Sequence, residues 1–177
     1  MKREKYSAPA GRAALVGVLS ALSLTVLYAS ALVPSGRLGV VAAAGVFPAG
    51  AVVSAGLKAG FLCYGAAGLL GLLLLPNKSN AVLYLLFFGL WPIVKSLIER
   101  LGRLPLEYVC KLAFFNLVLA LLWFGLKGLL LPFLPPALPA SWVVYVGNAA
   151  FVIYDLGLSK LIAFYSARID KVLRRNA

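Results

Sequence analysis

Apolar residues along this chain fall in long blocks separated by short polar clusters, without the alternation of strands or the one-sided stripe of soluble helices. A membrane-spanning helix needs about 20 largely apolar residues to cross about 30 Å of hydrocarbon. The first block, Ala13–Val33, follows a basic leader (Lys2, Arg3, Lys5, Arg12) and stops at Pro34. The run Leu38–Leu75 would reach about 57 Å as a single helix. It therefore predicts two spans, Leu38–Leu57 and Ala59–Leu75, hinged at Lys58 between Gly56 and Gly60. Pro76-Asn77-Lys78-Ser79-Asn80 then breaks the chain. A fourth span is predicted over Ala81–Ile98 with a kink at Pro92, and a fifth over Leu106–Leu131 after the loop Arg100–Pro105. Beyond Pro132, Pro135, Pro136 and Pro139, Ser141 is placed to cap a sixth, Ser141–Ser166, which runs into the basic tail Arg168–Arg175. The expected fold class is an all-α integral membrane protein, a single domain of six transmembrane helices over residues 1–177.

Composition agrees with this reading. The chain is 63% hydrophobic and 12% charged, against about 45–50% and about 25% in soluble domains. That leaves too little polar surface to cover a globule in water. Charge then supplies orientation. Of the 17 Lys and Arg, only Arg37, Lys78 and Lys127 fall on the side away from the termini, leaving 14 on the other. By the positive-inside bias, both termini are expected in the cytoplasm and the protein in the cell membrane as a multi-pass protein. The net charge of +12 thus reads as topology and attraction to anionic inner-leaflet lipid rather than as nucleic-acid binding. The leader and Ala29-Ser30-Ala31 also resemble a cleavable signal, but a 21-residue apolar run exceeds the usual 7–15, so a retained span is expected.

Small residues recur every four positions on the first helix at Ala13, Gly17 and Ala21, with Ser20 beside them. Gly39, Gly45, Gly50, Gly56, Gly60, Gly65, Gly68 and Gly71 continue the style. In lipid, close approach over small residues supplies much of the packing between helices. One reading is that helices one to three pack on each other through these positions. The other is that one small-residue face stays open for another membrane protein. Leucine at Gly17 separates them, destroying the fold in the first case and only a partner complex in the second.

Ionisable groups at membrane depth suggest function by default. Lys95 and Glu99 are four apart, as are Glu107 and Lys111, so each pair is expected to meet on its own helix face. With Asp155 and Lys160 on the sixth helix, they form a balanced cluster of three cations and three anions. Ionic glue joining helices four to six is the first reading, since buried charges persist when paired. The alternatives are a docking surface or a proton relay through Asp155, for which Asp155→Asn would abolish transport and spare ligand binding. Asn116 and Asn148 lie nearer mid-membrane and could bond across helices. Around Asn148 the outer side offers Arg37, Asn80, Tyr84, Trp142 and Tyr145 as a substrate pocket, with Asn77, Lys78, Ser79 and Lys127 on its rim. The competing role for its aromatics is the interfacial belt. No acid occurs on that side, which favours a neutral or anionic ligand.

Candidate chemistry is sparse. Histidine is absent, and Cys63 and Cys110 read as small apolar residues. No Walker, H-E-x-x-H or G-x-S-x-G motif is present, and Lys95-Ser96 are adjacent on a helix, about 100° apart. Neither enzyme activity nor a cofactor is expected.

With its size and span count, the first-helix sequence A-A-L-V-G-V-L-S-A-L-S resembles the substrate-binding S components of energy-coupling factor transporters, and uncharacterised bacterial membrane proteins close to them. Trp91-Pro92-Ile93-Val94-Lys95-Ser96-Leu97-Ile98-Glu99 and Asn148-x-x-Phe151-x-x-Tyr154-Asp155 resemble the latter's pattern. The resemblance implies capture of a vitamin-like small molecule from outside. It also implies docking of Ala13, Gly17 and Ala21 on a transmembrane T component driven by ATPase subunits. The inner charge cluster is a departure, because a plain S component does not require it. A partner-docking scaffold using that cluster and a small proton-coupled carrier are the alternatives.

Overall fold

The computed structural model describes residues 9–33, 36–125 and 140–175, with side chains for all of these but 9, 140 and 169–175. The leader residues Lys2, Arg3 and Lys5, with Pro34, Lys127 and the proline-rich connection, lie outside them. The described elements are helices joined by short turns. Six helical stretches among them are long and apolar enough to cross a membrane: Ala10–Leu32, Arg37–Ala55, Leu57–Leu74, Lys78–Leu101, Leu104–Gly125 and Ser141–Arg168. The chain divides into two compact units, Met1–Leu138 and Pro139–Ala177.

The first unit begins with α1 (Pro9–Leu32). The second stretch is α2 (Arg37–Ala44) and α3 (Val46–Ala55), articulated at Gly45. The hinge into α4 (Leu57–Leu74) falls at Gly56, two residues before the expected Lys58. Gly56 has φ 90° and ψ 178°, a conformation closed to residues with a Cβ, and Lys58 follows inside the first turn of α4. The next helix starts earlier than the sequence suggested. Asn77 Oδ1 accepts from the Ser79 amide at 3.1 Å, so the asparagine read as a breaker is an N-cap and α5 opens at Lys78.

The fourth stretch is interrupted directly before its proline. α5 (Lys78–Leu83) widens into a π turn, Tyr84–Phe88, and α6 (Trp91–Ile98) begins beyond Gly89 and Leu90. Pro92 sits in the first turn of α6, where a missing amide hydrogen costs nothing. The irregularity is therefore the π turn, closed by Gly89 N donating to Tyr84 O at 2.8 Å. A 3₁₀ turn, Glu99–Leu101, ends at Gly102 with φ 65°, leading into α7 (Leu104–Ala120) and a second π turn, Leu121–Gly125. The second unit contains α8 (Ala140–Arg175). Since α8 is already helical at Ala140, Ser141 lies within its first turn and is not the cap.

Burial in the first unit follows the logic of a protein in lipid. Leu62, Leu69, Leu73, Val109 and Leu117 face outward, a pattern compatible with lipid as solvent. The interior mixes Leu27, Val41, Ala44, Ala67, Leu75 and Ala81 with Ser23, Ser30, Asn80 and Tyr84. In hydrocarbon every polar group must be satisfied within the protein, so the hydroxyls and amides turn inward. On α1 the buried positions Ser20, Ser23, Leu27 and Ser30 are spaced three, four and three apart, one helical face.

The glycines separate into two kinds. A Cβ on Gly45 would stand 2.2 Å from the Phe88 carbonyl oxygen, and one on Gly71 2.9 Å from Leu27 Cδ2. Gly60 lies against Val52, and Gly68 against Leu85. These positions seat α4 on its neighbours and α2–α3 on the π turn. Gly17, Gly39 and Gly65, by contrast, have nothing within 4 Å of where a Cβ would be.

Candidate functional site

Three clusters hold the residues that the sequence singled out. The first is the small-residue face of α1. Ala13, Gly17 and Ala21 are all exposed, and they line a groove of about 700 Å³ between α1 and α4. Its floor and far wall come from Val16, Ser20, Ala59, Leu62 and Ala66. Val16 and Leu19 pack against the cluster of Ala59 and Cys63, and Leu27 packs over Gly71, so the two helices run side by side in the same direction. Arg12 and Lys58 consequently border the same end of the groove, and no acidic side chain lines it.

The second cluster is a polar seam between α1, α2 and α5. Ser23 Oγ donates its proton to Ala44 O at 2.9 Å and lies 2.9 Å from the Tyr84 hydroxyl. Serine has one hydroxyl proton, so Tyr84 is the donor of that second bond. Asn80 Nδ2 donates to Ser30 Oγ at 2.8 Å, and Ser30 donates to Leu27 O. Asn80 Oδ1 is buried and accepts no hydrogen bond among the described residues. Tyr84 also stacks on Tyr64 at 6.2 Å between ring centroids. Asn80 and Tyr84 are thus fully buried and hold α5 to α1. Arg37 stands apart at the start of α2, its Nε donating to Val33 O at 3.0 Å.

This seam makes a testable prediction. Ser23→Ala removes a partner from both Ala44 O and the Tyr84 hydroxyl, whereas Tyr84→Phe removes one bond and leaves Ser23 donating to Ala44 O. Thermal melting in detergent should show Ser23→Ala costing about 2 kcal/mol and Tyr84→Phe about 1. The reverse order would mean that Tyr84 holds a stronger partner elsewhere.

The third cluster is ionic. Lys95 Nζ meets Glu99 Oε1 at 2.8 Å, and Lys111 Nζ from α7 meets the same oxygen at 2.9 Å. Lys95 is 1% exposed and Lys111 8%, while the Glu99 side chain is 43% exposed. One carboxylate therefore ties α6 to α7. Among the described residues no ion pair joins Glu107 to Lys111, so the pairing expected within the fifth helix gives way to one between helices. Glu99, the residue immediately after α6, opens the 3₁₀ turn Glu99–Leu101 that leads the chain into α7. Beside this node Phe87, Trp91 and Phe114 stack with centroids 5.5–6.4 Å apart, a contact between α6 and α7 that helical periodicity gives no sign of.

In the second unit, Trp142 and Tyr145 are exposed near the start of α8. Asn148 Nδ2 donates to Val144 O at 2.8 Å, and Asn116 of α7 likewise donates to Leu112 O. Each amide thus bonds back to its own helix, four residues away. Ser159 Oγ donates to the Asp155 carbonyl at 2.8 Å, and Lys160 is exposed.

Compared with known proteins, the chain matches no family, no curated sequence and no solved structure.

Proposed function

We propose that this protein is the substrate-capture subunit of an energy-coupling factor type uptake transporter, without catalysis of its own. In this reading its termini face the cytoplasm and it takes a small neutral or anionic, vitamin-like solute from outside. It docks through the first helix on a transmembrane T component that ATPase subunits drive. The observation that carries the proposal is the exposed face Ala13, Gly17 and Ala21 beside its groove, left open while Gly60, Gly68 and Gly71 of α4 are packed. A helix that needed small residues only for its own fold would have them covered. An open stripe allows a partner's backbone to approach closely, which is how helices associate in lipid.

The test is purification of the tagged full chain from its own membranes. A transmembrane protein and ATPases should accompany it, together with a bound small molecule detectable by mass spectrometry. Gly17→Leu should cut recovery of the complex at least tenfold while leaving the yield of the chain unchanged. A preparation that consistently lacks such subunits and any bound solute overturns the proposal.

A further inference from the structure

The polar seam leaves one strong acceptor over. Asn80 is 0% exposed, and its Nδ2 donates to Ser30 Oγ at 2.8 Å. The single hydroxyl proton of Ser30 goes to Leu27 O, so Ser30 can only accept from the carboxamide, whose nitrogen must face it. Asn80 Oδ1 is thereby turned away from Ser30, buried, and takes no hydrogen bond among the described residues. The other end of the seam is closed, since Ser23 serves Ala44 O and receives the Tyr84 hydroxyl proton. A carboxamide oxygen left dry inside a protein costs more than the one bond of its own nitrogen returns. Buried polar groups that the chain does not satisfy are ordinarily met by a bound molecule.

The position is shallow. Ser30 lies two residues before the end of α1 at Leu32, and Asn80 two residues after the start of α5 at Lys78. Each is about 3 Å in from a helix end, so a guest from that side need not cross the apolar interior. Charge selects the guest. Arg37, bonded to Val33 O, and Lys78, bonded to Leu73 O, bring two cations to these helix ends. No Asp or Glu occurs between Glu4 and Glu99. A bound cation would meet like charge without a counter-ion, and an anion would meet an acceptor oxygen. An uncharged O–H or N–H group meets neither objection.

We propose that Asn80 Oδ1 anchors a binding site for one small uncharged hydrogen-bond donor, a water molecule or the hydroxyl or amide of a neutral solute, where α1 stops and α5 starts. The site stands on Asn80 and Ser30 and not on the transporter reading. Where that reading holds, the site favours the neutral members of its solute class.

Infrared spectra of the purified full chain, with asparagine isotope-labelled at the side-chain carbonyl, test this. Subtracting the spectrum of Asn80→Leu isolates the Asn80 band, which should lie at the lowered frequency of a hydrogen-bonded carboxamide. Ser30→Ala, which removes only the partner of Nδ2, marks the same band by shifting it, and serves if Asn80→Leu does not fold. A band at the higher frequency of a free carbonyl in apolar surroundings overturns the site. Reversible drying should shift the band if the guest is water. A neutral solute should survive drying and be found by mass spectrometry in the wild-type extract but not in that of Asn80→Leu. A lowered band that neither drying nor solute removal moves means a donor from the chain itself, and overturns the site. So does a charged guest whose removal shifts the band. The chain is measured without partners, so recovery or loss of a transport complex leaves this result as it stands.

Discussion

Gly45→Ala should cost about 3 kcal/mol or more, and Gly17→Leu, a far larger change, should cost less than about 1. The added methyl at Gly45 would stand 2.2 Å from the Phe88 carbonyl oxygen and 2.9 Å from its carbon. Those are backbone atoms of the π turn, so no rotamer change relieves the contact. Either α2–α3 or the π turn must move, and Gly89, whose own Cβ would meet the Tyr84 and Tyr64 rings at 2.7–2.8 Å, restricts the second option. Overpacking of this kind typically costs about 1–3 kcal/mol, and rigid surroundings place it at the top of that range or beyond. At Gly17 nothing lies within 4 Å of the new Cβ, and leucine is the better helix former. Thermal unfolding of both variants in one detergent is the measurement. Comparable destabilisation would mean that the α1 face is packed after all. It would also remove the observation on which the docking proposal stands.

That contrast marks where the sequence ran out. The long apolar blocks fix where helices form, because span length and backbone satisfaction in lipid leave few choices. The small-residue pattern does not say which glycines touch anything. Gly17 and Gly45 look alike in the sequence, and only the position of the Phe88 carbonyl separates them. Pro92 shows the same limit. A proline inside a long apolar run predicts an irregularity near it, but not that it takes the form of a π turn at Tyr84–Phe88 and a restart with Pro92 in a first turn. Part of the polar seam was legible, since Ser20, Ser23 and Ser30 share a face of α1 with Leu27 and hydroxyls in lipid turn inward. Their partners Tyr84 and Asn80 lie 61 and 50 residues away, beyond any helical period.

Glu99→Gln should destabilise the protein by about 2 kcal/mol, while Glu107→Gln should change it by less than about 0.5. The i,i+4 spacing alone would rank the two glutamates as equals, each with its own lysine. In the structure one Glu99 oxygen takes both Lys95 and Lys111, at 2.8 and 2.9 Å, and Glu107 closes on neither. Removing one partner of a buried pair costs about 3–5 kcal/mol, because the remaining charge stays in a poor solvent. The 43% exposure of Glu99 lowers that figure, since water screens the carboxylate side of the node. Lys95 is 1% exposed, so water does not screen its side of the node. Salt distinguishes the cases. A surface pair fades as the screening length falls from about 10 Å at 0.1 M to about 3 Å at 1 M, whereas the buried lysine side does not. Melting curves of both variants at the two salt concentrations should show the Glu99→Gln deficit largely surviving at 1 M. A deficit that vanishes in high salt, or an equal one for Glu107→Gln, would return the cluster to two separate pairs, each on its own helix. The node would then be surface charge rather than the clasp between α6 and α7.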